Sequence, residues 1–284
     1  MRGTGTRRQI HKLSDDLIPI KDNIPTDRFP LVTVLLILAN VVVYVLAASH
    51  GGSLISGPDA HEIVRYGAIP YALTHPGRHC GLASVPNLAT QTIACQGQAG
   101  VVGTPAGVLP TWETVLSSMF MHASILHIGG NMLFLWIFGN NVEDSMGRLK
   151  FLGFYILGGM AALLLQVLVG PNSTAPTVGA SGAIAAVLGG YIVLYPRARV
   201  LALVFIILFF TVIELPALLM LGLWFAEQAV FGAVGLTNPT GGGGGVAYFA
   251  HVGGFGFGAL TIRWLATRRK RLPPPSPPRA RLAY

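Results

Sequence analysis

Six apolar runs, each about long enough to cross a bilayer, restrict this chain more than any other feature. They cover residues 31–49, 114–141, 151–170, 179–195, 200–225 and 246–265. A spanning helix needs about 20 mostly apolar residues to match a hydrocarbon core about 30 Å thick. Lipid offers no partner for a backbone N–H or C=O, so such runs are predicted to be helices. The charge content agrees. Only 11% of the 284 residues are charged and 52% are hydrophobic, against about 25% charged in a soluble domain. That is too little charge to cover a surface facing water.

The cations are unevenly placed. Residues 1–30 carry six Lys and Arg, the turn near 142–150 carries Arg148 and Lys150, and the turn 196–199 carries Arg197 and Arg199. Seven more lie from Arg263 onward, whereas loop 50–113 has only Arg65 and Arg78, and loops 170–178 and 226–245 have none. By the positive-inside rule this alternation predicts a multi-pass protein of the plasma membrane with both termini cytoplasmic. The net charge of +8 then reads as membrane orientation, and no nucleic-acid partner is expected.

Three regions follow. Residues 1–30 form a cytoplasmic N-terminal segment, too long and polar for the start of a secretory signal. Residues 31–265 form the membrane domain, with the outward loop 50–113. Residues 266–284 form a basic, Pro-rich cytoplasmic tail, expected to be disordered. Cys80 and Cys95 share the outward loop and could pair in an oxidising compartment. Gly241–Gly245 reads as a flexible loop; no Gly-Lys-Ser/Thr follows it, so it is not a phosphate cradle. No internal repeat supports an inverted-repeat transporter.

Polar residues inside the apolar runs are costly and therefore informative. They are His122, His127, Asn131, Ser181, Glu214 and His251. Ser181 opens the fourth run between small residues, in Gly179-Ala-Ser181-Gly182. A lone serine in a helix usually bonds back to a backbone carbonyl. A helix start, however, presents free N–H groups suited to an oxyanion. His251 lies about five residues into the sixth run, which also enters from outside, so Ser181 and His251 share a depth. Ser181, Ala185 and Gly189 lie on one helix face, and Gly254 and Gly258 form another small face one turn beyond His251. Small faces let membrane helices approach closely. His127 and Asn131 are four apart on the second run and share a face; both can donate to an oxyanion or to a neighbouring helix. A metal held by His122, His127 and His251 is the competing reading, and the spacing of His122 from His127 aligns poorly for it. Glu214 sits two residues before Pro216 and could pair, relay protons or complete a triad with His251.

Taken together, four motifs resemble the rhomboid family of intramembrane serine proteases. They are His122-Ala-Ser-Ile-Leu-His127-Ile-Gly-Gly-Asn131-Met132, Glu143-Asp144 with Gly147, Gly179-Ala-Ser181-Gly182, and Ala250-His251-Val-Gly-Gly254 with Gly258. The resemblance implies an all-α, six-helix membrane bundle with an outward-opening wet cavity. It implies Ser181 as nucleophile and His251 as general base, without an aspartate. It also implies an oxyanion hole of His127, Asn131 and the Ser181 N–H, with Gly179, Gly182, Gly254 and Gly258 in support. The fifth helix and loop 226–245 would admit the substrate, a single-span membrane protein cut near the outer end of its helix. No cofactor or metal is implied. Two positions depart from the family pattern. Glu113 follows Trp112 where many members have arginine, and Ala185 stands where many carry an aromatic residue against the histidine, so something else must orient His251. An inactive relative that binds membrane clients is the alternative function. A third reading is a transporter or channel using Glu214 and the histidines.

Overall fold

The computed structural model describes residues 17–84, 91–98, 109–206, 209–237 and 246–268. Strand β1 (Leu17–Asp22) precedes helix α1 (Leu31–Ser49), which occupies the first apolar run. The loop beyond carries short helices α2 (Ala60–Tyr66) and α3 (Pro70–Thr74) and an antiparallel hairpin, β2 (Cys80–Ser84) with β3 (Gln91–Cys95). Short α4 (Thr111–Ser117) is followed by α5 (Ile125–Phe134), a π turn at Leu135–Gly139, and α6 (Asn140–Met146). Then come α7 (Arg148–Val169), α8 (Ser181–Leu194), hairpin β4 (Arg199–Ile206) and β5 (Phe209–Pro216), α9 (Ala217–Thr237) and α10 (Tyr248–Leu265).

The fold is mostly helical. Among the described residues, three helices are long and apolar enough to cross a membrane: α1, α7, and α9 over Ala217–Leu236. Each of the three also presents exposed apolar side chains, among them Leu35, Leu38, Val42, Leu164, Leu168 and Leu223. The central helix is α8. Its 14 residues rise about 21 Å at about 1.5 Å each, short of the hydrocarbon thickness of about 30 Å. It need not meet lipid on every side, because Gly182 through Tyr191 are all buried by protein. Its small side chains draw α10 close. A Cβ at Gly254 would overlap the Gly182 carbonyl, and one at Gly258 would overlap that of Ala186. Ser181 stands at the N-terminus of this short helix.

Several sequence expectations change. The fold is not all-α: β1, β4 and β5 form a three-stranded antiparallel sheet in the order β1-β4-β5. The fifth run, 200–225, is a strand pair up to Pro216 and becomes helical only at Ala217. An apolar run alone cannot separate a buried strand from a helix. Here Val204, Phe205, Ile206, Phe209, Phe210, Thr211, Val212 and Ile213 are β-branched or aromatic and favour a strand. Pro216 closes the strand, and the helix begins at the residue after it. Glu214 is therefore not in a membrane helix. It is exposed on β5, with Arg199 Nη1 donating to its Oε2 at 3.4 Å. The second run, 114–141, is broken at Ser118–Ser124 before α5 resumes it. Helix α9 reaches Thr237 through much of loop 226–245, while Gly241–Gly245 and the tail from 269 lie outside the described residues.

Both ends of the helical body are tied down. At the basic end, the Glu143 carboxylate accepts from the N–H groups of Val32 and Thr33 and from the Thr33 hydroxyl at 2.8–3.0 Å. It thereby caps α1, whose own N-cap, Pro30, supplies no side-chain bond. Asp22 on β1 accepts from Asn141 Nδ2 and the Tyr191 hydroxyl, each at 2.6 Å. At the other end, Cys80 and Cys95 are joined in a disulfide across β2 and β3. The loop they staple docks on residues 171–179. Ala68 and Thr177 exchange backbone hydrogen bonds, Tyr71 N–H donates to the Ser173 carbonyl, and Gly179 N–H donates to the Ser118 carbonyl.

Candidate active site

Ser181 and His251 come from separate helices, 70 residues apart, and touch: His251 Nε2 lies 2.8 Å from Ser181 Oγ. The close α8–α10 packing at Gly254 and Gly258 makes this approach possible. Both side chains line a cavity of about 620 Å³. The other His251 nitrogen, Nδ1, lies 2.6 Å from Gln228 Oε1 on α9. An amide oxygen only accepts, so the contact places the proton on Nδ1 and leaves the Nε2 lone pair for the serine hydroxyl. Trp224, one helical turn before Gln228, sets its ring 5.6 Å from that of His251. These two α9 residues occupy the role left open by Ala185.

Neither Gln228 nor Trp224 stands out in the sequence. Gln228 falls just beyond the fifth apolar run, where a polar residue attracts no notice. The available signal is the polar pair Glu227-Gln228, one turn after a tryptophan in a largely apolar stretch; that Gln228 is only 8% exposed shows in the structure alone.

His127 and Asn131 project from α5 toward Gly179. A Cβ on Gly179 would stand 2.7 Å from His127 Nε2 and 3.6 Å from Asn131 Nδ2. Gly179 also has φ +119°, a conformation that side chains disfavour. Only glycine fits here without strain. Asn131 is 9% exposed and its Nδ2 has no hydrogen-bond partner. A buried donor left unpaired costs about 1–3 kcal/mol, so its retention in the cavity wall points to an acceptor that arrives with a ligand. The Ser181 N–H belongs to the first turn of α8, where amides lack helical partners. His127, Asn131 and Ser181 thus line the same cavity.

His122 stands apart from them in role. Its Nδ1 lies 3.2 Å from the Phe120 carbonyl, and Nε2 accepts from Ala180 N–H at 3.4 Å. With both nitrogens engaged by backbone, it holds the residue before Ser181. Among the described residues, no three His, Cys, Asp or Glu side chains group as metal ligands do. Glu214 lines a different cavity, with Lys21, Asp22 and Arg199 at the basic end, and does not join His251.

A serine hydroxyl on a neutral imidazole, sharing a cavity roomy enough for water with the unpaired Asn131 amide, can perform acyl transfer. The profile of the Rhomboid domain matches residues 110–268. Rhomboid protein 1, mitochondrial, of Saccharomyces cerevisiae is 31% identical over 153 residues, covering 52% of this chain and 40% of that protein. The human presenilin-associated rhomboid-like protein, mitochondrial, is 32% identical over 97 residues, covering 34% of this chain and 25% of that protein. Rhomboid-like protein 11, chloroplastic, of Arabidopsis thaliana is 39% identical over 75 residues, 26% of each chain. The chain spans less than half the length of these curated relatives. Their names overturn the plasma-membrane placement drawn from the cation pattern, pointing instead to organelle membranes and above all mitochondrial ones. Charge asymmetry orients a chain across a bilayer; it does not say which bilayer.

Proposed function

The chain belongs to the rhomboid family, and from that we propose that it is an intramembrane serine protease whose dyad is Ser181 and His251. The observation that carries the reading is the 2.8 Å contact between Ser181 Oγ and His251 Nε2 inside the cavity. In this reading six segments cross the membrane: α1, α5 to α6, α7, α8, α9 and α10. The mitochondrial names of the relatives support a mitochondrial membrane as the site of action.

The geometry suggests a sequence of steps. His251 takes the Ser181 proton at Nε2 while Gln228 holds Nδ1–H, and the freed oxygen attacks a peptide carbonyl. The carbonyl oxygen becomes an anion facing Asn131 Nδ2, His127 and the Ser181 N–H. Protonated His251 then gives its proton to the departing amine, leaving an acyl group on Ser181. Water from the cavity, deprotonated by His251, releases the second product and restores the serine. A neutral amide replaces the carboxylate of a triad, so it orients the imidazole without balancing its charge.

The substrate class follows from position. The cavity lies at the end of α8 away from the basic face and below the membrane surface. The fitting substrate is a single-span membrane protein whose helix unwinds near that same end. The test is cleavage of a single-span reporter by purified protein, alongside labelling by a fluorophosphonate. Ser181→Ala and His251→Ala should each abolish cleavage, and Ser181→Ala should abolish labelling, with the melting temperature unchanged. Cleavage that persists in purified Ser181→Ala rules the dyad out. A wild type that neither labels nor cleaves would instead mark a client-binding relative.

A further inference from the structure

At the opposite end of the molecule a second cavity, of about 610 Å³, opens between the start of α1 and the turn joining α6 to α7. Arg28, Arg148 and Lys150 line it, and all three are exposed. Among the described residues none of the three forms an ion pair. Three cations from two segments of chain face two carboxylates in the lining, Glu143 and Asp144, which leaves one positive charge in excess.

The two carboxylates in the wall are both buried. Glu143, 2% exposed, accepts three hydrogen bonds from Val32 and Thr33. Asp144, 5% exposed, accepts from the Asp27 N–H. The charged groups that reach the mouth of the cavity are thus the three exposed cations. Its rim is apolar: Phe29 is 64% exposed and Leu149 is 87% exposed. A polar, cationic pocket edged by bare phenyl and isobutyl groups, at the membrane-facing start of α1 and α7, matches a molecule that is anionic at its head and apolar below it.

We propose that this cavity holds the phosphate headgroup of an anionic phospholipid from the adjacent leaflet. Arg28 and Arg148 offer the planar donor forks suited to phosphate oxygens, and Lys150 adds a point charge. The uncapped amides at the start of α7 add donors of the same polarity. Phe29 and Leu149 meet the glycerol and upper acyl region. The proposal concerns a face remote from Ser181 and stands whether or not the dyad cleaves peptides.

The test is a titration of the purified full chain in a neutral detergent, read by native mass spectrometry. Phosphatidylglycerol is compared with phosphatidylcholine. Each basic residue near a lipid surface contributes about fivefold, so the anionic lipid should bind about a hundredfold more tightly through the three. The triple variant Arg28→Gln, Arg148→Gln, Lys150→Gln should bring the two lipids level. Arg263→Gln with Arg268→Gln, on the same basic face but outside the cavity, should keep the preference within about twofold of wild type. Undiminished preference in the triple variant overturns the proposal, as does an equal loss in the control pair. Inorganic phosphate is the remaining arm. Displacement of the lipid by an equal concentration of phosphate would assign the cavity to a free anion instead. All three side chains are exposed, so an unaltered melting temperature should accompany the loss.

Discussion

A histidine that acts as a base must keep one nitrogen bare and the other protonated. Gln228 does this for His251 from a different helix, at 2.6 Å. Replacing it by leucine removes the acceptor while keeping the volume. In the proposed mechanism Gln228→Leu lowers kcat about tenfold to a hundredfold, since general-base catalysis depends on this alignment. KM should stay within about twofold because Gln228 lines no part of the substrate path. A purely structural role would lower the melting temperature instead, and leave the kcat of the surviving folded protein unchanged. Steady-state kinetics on a reporter separate the two. The serine and histidine were legible in the sequence because each was a polar residue at one depth, flanked by glycines. Gln228 was not: its meaning comes from the angle at which α9 crosses α10, and no local spacing carries that angle.

Among elements, the α8–α10 contact sets the dyad distance, and glycine controls it. A Cβ at Gly258 overlaps the Ala186 carbonyl, which is backbone and cannot swing away. Gly258→Val should therefore cost about 3 kcal/mol or more by overpacking. Even variants that fold should lose fluorophosphonate labelling as His251 moves off Ser181. A Cβ added at Gly256 would meet nothing within 4 Å, so Gly256→Ala should leave thermal stability and labelling unaltered. The small faces that make this contact could be read from their four-residue spacing. The β4–β5 hairpin could not. Its residues satisfy both a spanning helix and a buried strand, and pairing with β1, far away in sequence, decides the matter. Only Pro216 hinted at the break.

For the whole molecule, the two ends differ in kind. The basic end gathers a knot of buried hydrogen bonds, and the opposite end holds the cavity of Ser181 and His251. Within the knot, burial of Asp22 pushes its pKa up to about 6, outweighing the Tyr191 hydrogen bond that lowers it. A folded-state value above the ordinary 3.8 means that the folded protein binds the proton more tightly. Stability from this group is complete below about pH 4 and is lost as pH rises through about 6. The loss amounts to roughly 3 kcal/mol. Melting temperature should fall between about pH 4 and pH 7 in wild type, and Asp22→Asn should flatten that slope. The disulfide carries a different consequence. A Cys80–Cys95 bond persists only where thiols are oxidised, so the staple between β2 and β3 depends on the redox state around the loop. That loop buttresses the approach to Ser181 through Ala68 and Tyr71. Reduction should therefore act on the cavity at second hand, by slackening the loop that braces residues 173–177.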